Sequence, residues 1–541
     1  MLLYWARAPW AGKPIKSIEM QYIVAVAPII MLFALMLKFR LSGHLSAVLT
    51  LALAVVLALF VSPVADMVPR EYASSSIFSL VGWSIAEGVL KAVFPIFLII
   101  LMAIFSYNIL VESRQIEVIK RQFISLTDDK GILVLIMVWG FGGLLEGMAG
   151  FGTAVAIPAA ILIGLGFKPF FSALAALLGN TVATGFAAVG VPVITLCNEA
   201  TAGGHASAEM IREVSTFTVV QLTPLFFLIP MAILFLTDRK PWKKNIVLTV
   251  WVGTVSWTAQ FLCAYFLGAE TPAIVGSIAA IAALVIAARM KRNSGKPSGT
   301  GCIESLRAWS VYILILALIL LTGSLCPVVS EFLKTHLVST FAIPVIETNF
   351  RFGWISNAAI VLLTGSVAGG LIQGLSIKRI LVIFCKTMVS LRHTAVTIVS
   401  LITMASVMNY CGMINTIAAG LVTVTGTLYP LFAPLIGAVG TFVTGSDTSS
   451  NILFAKLQVN VAHNLGMTGN ADYFGLTGGE SNWLLAANTT GATGGKMISP
   501  QSIAIATAAC EMQGSDSRIL RSAIPYAIVY VLTGGIIVYL G

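Results

Sequence analysis

The chain has 541 residues, of which 58% are hydrophobic and only 10% charged, with a mean hydropathy of +0.95. Soluble domains carry about 25% charged residues, so a water-soluble globular protein is excluded and a lipid-embedded one is indicated. The net charge of +10 does not point to nucleic acid, because the basic residues sit in short loops beside apolar runs, where the positive-inside rule accounts for them.

Taken in chain order, the first 20 residues carry Arg7, Lys13 and Lys16 but no short apolar core with a small-residue cleavage site, so a removable signal peptide is not expected. Apolar runs long enough to cross about 30 Å of hydrocarbon follow at 22–37, 45–61 and 92–111 in the first part, and at 216–236, 246–267, 273–288 and 309–325 further on. Lys38 and Arg40, the charged run 112–130, the basic run 238–244 and the loop 289–308 are expected on the cytoplasmic side. The short turn at 268–271 and the N-terminus then face outward. Lys378, Arg379, Lys386 and Arg392 are interleaved with Ile380, Leu381, Ile383 and Phe384, which predicts an amphipathic helix lying in the interface. Beyond it, His393 stands at a helix entry, and Asn409 with Gly412 marks a helix irregularity.

No stretch is polar enough for a soluble domain, so residues 1–541 are read as one membrane domain. The glycine-rich, basic connector at about 289–308 divides it into a first repeat of about 72–236 and a second of about 355–541. Each half holds a glycine- and hydroxyl-rich patch among apolar residues. In the first half Gly142-Gly143-Leu144-Leu145-Glu146-Gly147-Met148-Ala149-Gly150-Phe151-Gly152-Thr153 is followed by Asn180-Thr181 and then Pro192. In the second, Thr444-Gly445-Ser446-Asp447-Thr448-Ser449-Ser450-Asn451 is followed by Asn488-Thr489-Thr490-Gly491 and then Pro500. Each Asn-Thr pair precedes its proline by the same spacing and has a carboxylate upstream, the pattern of an internal duplication. A third pair, Asn415-Thr416, has no such proline.

Each glycine costs a helix about 1 kcal/mol relative to alanine, so the helices are expected to break at these strings. Secondary transporters hold anionic substrates at such breaks, between half-helix N-termini and unwound backbone. The competing reading is close packing of helices through small residues; two matched patches, each with a carboxylate, favour the binding site.

The strings Leu145-Glu146-Gly147-Met148-Ala149-Gly150-Phe151-Gly152, Gly164-Leu165-Gly166-Phe167-Lys168-Pro169, Thr444-Gly445-Ser446-Asp447-Thr448-Ser449-Ser450-Asn451, Asn488-Thr489-Thr490-Gly491 and Gly495-Lys496-Met497-Ile498-Ser499-Pro500-Gln501-Ser502 closely resemble the L-lactate permease family. The likeness spans most of the chain and is weakest at about 194–213 and 289–354; Thr153 and Ala154 stand where the family pattern usually has alanine and proline. It implies a multi-pass protein of a bacterial inner membrane that symports protons with L-lactate and related 2-hydroxymonocarboxylates such as D-lactate and glycolate. A sodium-coupled carboxylate or other anion transporter of the same superfamily is the alternative. It also implies an all-α fold of about 12–14 transmembrane helices in two inverted repeats, with re-entrant hairpins and discontinuous helices.

Lactate presents one carboxylate, one hydroxyl and one methyl. Candidate substrate contacts are Asn180, Thr181, Asn488, Thr489, Lys496, Ser446, Gly150 and Gly491, with backbone N–H groups at half-helix starts attracting the carboxylate. Lys496 is read as a counter-charge to the substrate, as the ion-pair partner of Asp447 or as a lysine snorkelling to an interface. A carboxylate in a membrane span costs roughly 2.5–3.5 kcal/mol to insert and normally faces a partner or a wet cavity. Glu146 and Asp447 are the candidates for the coupling proton, Glu146 first because it stands between leucines and glycines. No cofactor is expected, and an enzyme finds no support: there is no HExxH or phosphate-binding loop, and His44, His205, His336, His393 and His463 are scattered. The seven cysteines form no CxxC pair, which argues against zinc and against a disulfide framework.

Overall fold

The computed structural model describes residues 15–39, 41–61, 67–69, 72, 75–124, 127–148, 150, 152–201, 205–238, 240–291, 302–322, 329, 332–333, 336, 338–344, 348–354, 357–512 and 515–541. Arg7 and Lys13, Arg40, Ala149, Phe151, and the connector at 292–301 lie outside the described residues. The fold is helical throughout, apart from two antiparallel hairpins among the described residues: β1 (Val338–Ile343) pairs with β2 (Thr348–Gly353), and β3 (Asn470–Tyr473) with β4 (Leu476–Gly479).

Among the described residues eight helices are long and apolar enough to cross a membrane, or up to ten with two bent pairs, Ala208–Gln221 with Leu225–Thr237 and Ile377–Ser390 with Arg392–Tyr410. Some apolar helices are short. At 1.5 Å rise per residue, Thr153–Gly164 and Pro169–Gly179 each cover less than about 20 Å and cannot cross alone. The protein is an all-α, multi-pass membrane protein with discontinuous helices, and the number of crossings depends on how the pieces are joined.

Two sets of parts position the site. The first begins with helix α1 (Ile77–Lys91) and the buried helical run α2 (Lys130–Met148). Beyond Met148 the backbone turns through Gly150 (φ 62°) and Gly152 (φ 85°), left-handed conformations that glycine adopts without a Cβ clash. Helix α3 (Thr153–Gly164) then packs back along α2, making a hairpin with its tip at Gly150 and Gly152. Helix α4 (Pro169–Gly179) ends at Asn180. After a 3-10 stretch, Val182–Phe186, comes helix α5 (Ala187–Ala200), whose opening residues Ala188, Val189 and Gly190 have φ of 44°, 60° and 79°. Such angles in alanine and valine cost on the order of 1–3 kcal/mol each and persist only where the surroundings impose them.

Parts of the same kind recur later. Helix α6 (Arg392–Tyr410) ends before Gly412 (φ 75°), the expected irregularity. Helix α7 (Tyr429–Thr444) stops at Gly445 (φ 72°), and α8 (Asp447–Asn464) starts after Ser446, whose hydroxyl caps it by accepting from the Ser449 N–H at 3.3 Å. Helix α9 (Glu480–Lys496), a break at 497–499 and helix α10 (Pro500–Ala509) follow, then the terminal α11 (Asp516–Leu540).

One expectation is corrected here. Helix α9 does not break at its glycine string: it runs unbroken through Asn488, Gly491 and Gly495 and ends only at Lys496. Its glycines serve packing. Gly437 lies against the Asn488 carbonyl, Gly491 against the backbone of Pro434 and Gly495 against that of Ala438, so α7 and α9 touch backbone to backbone. That contact offsets the propensity cost of the glycines.

Helix Ile377–Ser390 has the expected amphipathic character, burying Ile380, Ile383 and Thr387 while Lys378, Arg379 and Lys386 are exposed. His393 is exposed, with its ring 4.3 Å from that of His44.

Candidate functional site

The two hairpin tips and the two helix breaks meet around one cavity of about 50 Å³. The first tip contributes Gly150 and Gly152, and the second Gly445, Ser446, Asp447 and Thr448. The interrupted helices add Thr184, Ala187, Ala188, Val191 and Pro192 from one side and Lys496, Gln501, Ser502 and Ile505 from the other. Glu146, on the last turn of α2, completes the wall.

Helices α3, α5, α8 and α10 all begin at this cavity. Their first-turn N–H groups have no partner within their own helix, and their dipoles place partial positive charge there. Four such ends around one small space favour an anionic occupant. Apolar atoms of Ala187, Ala188, Val191 and Ile505 complete the lining, a surface suited to a methyl group.

Lys496 donates from Nζ to Oε1 of Glu146 at 2.5 Å, and Glu146 is fully buried. The ion pair therefore joins the end of α9 to the end of α2. The structure pairs this lysine with Glu146, 350 positions away, rather than with Asp447. Asp447 is 3% exposed. Neither of its carboxylate oxygens makes a hydrogen bond, although the equally unbonded Thr441 hydroxyl stands beside it and the charges of Lys496 and Glu146 act on it. The second oxygen of Glu146 also lacks a partner.

Of the sequence-nominated residues, Glu146, Gly150, Ser446, Asp447 and Lys496 come together at the cavity. Asn180, Thr181, Asn488, Thr489 and Gly491 are not among its lining. Asn488 and Thr489 are committed to a buried network in which Asn451 is the hub. Asn451 donates to the Pro192 carbonyl and to the Thr489 hydroxyl, both at 2.9 Å, and accepts from the Asn488 amide at 2.8 Å. Gln458 donates to the Asn488 carbonyl oxygen at 3.2 Å and accepts from the Tyr429 hydroxyl at 2.9 Å. This network ties α8 and α9 to the proline of α5 that lines the cavity. Thr181 donates to the Leu178 carbonyl at 2.9 Å. Asn180 is buried with neither amide atom bonded.

Sequence reasoning did not single out Thr184, Thr448, Gln501 or Ser502 as contacts, nor Asn451 as a hub. Gln501 and Ser502 directly follow Pro500, and a proline in the first turn of a helix signals the N-terminus. Ser499 caps that helix by accepting from the Ser502 N–H at 3.2 Å.

Residues 21–541 match the family model described as L-lactate permease. The chain is 36% identical over 457 residues to an L-lactate permease of Streptococcus iniae, a match covering 83% of this chain and 92% of that one. It is 31% identical over 576 residues to the glycolate permease GlcA of Escherichia coli (strain K12), covering 97% and 96% of the two chains. An L-lactate permease of Bacillus subtilis (strain 168) is 30% identical over 592 residues, covering 99% and 98%. With a family match from residue 21 to the last and relatives aligned nearly end to end, this chain belongs to the L-lactate permease family.

Proposed function

We propose that the protein carries lactate, glycolate and related 2-hydroxymonocarboxylates across a bacterial inner membrane in symport with protons. The relatives are named for lactate and glycolate, and the cavity suits a small anion: four helix N-termini, one ammonium, hydroxyls of Ser446, Thr448 and Ser502, and an apolar wall. The substrate carboxylate faces Lys496 and the helix ends; its hydroxyl meets the serine and threonine hydroxyls. The two hairpin and broken-helix sets are the cores of the two repeats.

The observation that carries the coupling is the charge balance. Two carboxylates and one ammonium leave one net negative charge when all are ionised, and the Glu146–Lys496 pair leaves Asp447 as the member without a partner. A second anion entering beside an ionised Asp447 meets repulsion in a low-dielectric site. A proton on Asp447 removes it. Anion and proton therefore each favour the other's binding, which is the thermodynamic content of symport, and one proton per anion makes the step electroneutral. Asp447 thus takes first place as proton carrier, ahead of Glu146, whose negative charge is matched by Lys496.

A sodium ion would balance the same charge, with the Asp447 carboxylate and the Ser446 and Thr448 hydroxyls on the cavity wall as oxygen donors. Uptake of labelled lactate into liposomes, with and without sodium and with the proton gradient collapsed by an ionophore, tests the proposal. Sodium-independent uptake that stops on collapse is the expected result; uptake that follows sodium would replace protons with sodium.

A further inference from the structure

Away from the cavity lies a second buried set of charges that the proposed mechanism does not use. On α1, Lys91 and Glu87 form an ion pair at 2.8 Å, and Glu87 also accepts from the Tyr410 hydroxyl of α6 at 2.8 Å. Facing them are Glu199, near the end of α5, and Lys456 of α8, whose charges act on Lys91 and on each other. Glu87, Lys91 and Glu199 are 1%, 5% and 3% exposed. Tyr72 lies edge-on to Tyr410, with ring centroids 5.6 Å apart.

The set is neutral when all four groups are charged, but its members are unequally satisfied. Glu87 has two donors, Lys91 and Tyr410, both on Oε1, while its Oε2 is buried without one. Glu199 has a buried Oε1 that meets no donor, and among the described residues the Lys456 ammonium makes one long hydrogen bond, 3.5 Å, to the Ala200 carbonyl. Glu199 is thus the open member: a buried carboxylate opposite ammonium groups that belong to other helices. Charge inside a membrane protein is expensive and marks ion or proton pathways when it is not simply paired.

Both helices that supply this half of the cluster begin at the cavity. From Val191 to Glu199 on α5, and from Thr448 to Lys456 on α8, the rise is about 12 Å along each helix. Any displacement of the hairpin tip or of the broken helix therefore moves Glu199 and Lys456 against Lys91 and Glu87, which sit on α1.

We propose that Glu199 is a second proton-binding carboxylate of the transport cycle, one that takes up a proton when its helix moves away from Lys91 and releases it when Lys91 again faces it. The step forms and breaks one O–H bond, the proton being exchanged with water. This inference rests on the proton-coupled reading above. It adds a proton site that the cavity does not contain.

The test uses purified full-length protein in liposomes holding a trapped pH dye, with lactate counterflow measured in parallel. Glu199→Gln keeps counterflow within about twofold of the parent and lowers the number of protons entering per lactate about twofold, leaving the one that Asp447 carries. Glu199→Asp, which keeps a carboxyl group, restores it. If Glu199→Gln accumulates poorly, the paired change Glu199→Gln with Lys456→Gln removes one charge of each sign and serves in its place, with the same loss expected. Proton entry at the parental rate in either glutamine variant overturns the role of Glu199 while leaving symport standing. If the parent itself moves no protons with lactate, the symport reading falls and this inference falls with it.

Discussion

Lys496 reaches from the last turn of α9 to Glu146 on the last turn of α2, 2.5 Å from Nζ to Oε1, and so leaves Asp447 as the cavity carboxylate without a partner. That pairing assigns different work to two acids that the sequence alone makes look equivalent. It also means that a substrate carboxylate must share Lys496 with Glu146 rather than capture a free ammonium.

Breaking this pair from one side leaves a buried charge uncompensated, which typically costs about 3–5 kcal/mol. Glu146→Gln and Lys496→Gln are each expected to lower the melting temperature clearly in detergent. The double variant Glu146→Gln with Lys496→Gln recovers most of that loss and still fails to bind lactate, because no cation remains for the carboxylate. Thermal unfolding read by intrinsic fluorescence, alongside a lactate binding isotherm for each variant, checks both halves of this expectation.

Gly491 tests the packing of α7 on α9. A Cβ there would overlap the carbonyl of Pro434, whereas a Cβ at Gly164 meets nothing within 4 Å. Gly491→Ala must therefore push two helices apart, at a cost of at least about 1–3 kcal/mol. Gly164→Ala should be neutral or slightly stabilising, since alanine is the better helix former by about 1 kcal/mol. The yield of monodisperse protein and its melting temperature discriminate the two.

Asn488 separates a structural asparagine from a substrate contact. Asn488→Ala strands the Asn451 side-chain oxygen and one N–H of Gln458, whose amide keeps its bond to the Ala433 carbonyl, leaving buried polar groups unpaired at about 1–3 kcal/mol each. The variant is expected to lose stability by that order. Its folded fraction should transport lactate with a KM close to the parent's; a KM raised tenfold without loss of stability would return Asn488 to the substrate.

The particulars show what a single sequence discloses about such a site. Gly150, Gly445 and Ser446 were legible because left-handed tips and helix caps are local, and their residue types announce them. Glu146 and Asp447 were legible because a carboxylate amid apolar residues is costly and needs a reason. The partner of Lys496 was not legible, because the choice between Glu146 and Asp447 is made by tertiary packing across 350 positions. The Asn-Thr spacing does not disclose the network around Asn488, because Asn451 and Gln458, which hold it, sit on another helix. Glu87, Lys91, Glu199 and Lys456 went unremarked for the same reason. Each reads as an isolated charge until the fold gathers them, although Glu87 and Lys91, spaced i to i+4 within one apolar span, gave a local signal.

Asp447 carries the central claim, and lactate-driven acidification of the lumen of liposomes bearing Asp447→Asn tests it most directly. The amide mimics the protonated acid at nearly the same volume, so the variant should exchange labelled lactate as the parent does, while an inward lactate gradient draws in fewer protons per lactate, by the one that Asp447 carries. Acidification by Asp447→Asn at the parental rate and stoichiometry would contradict the account and move the coupling proton to another group.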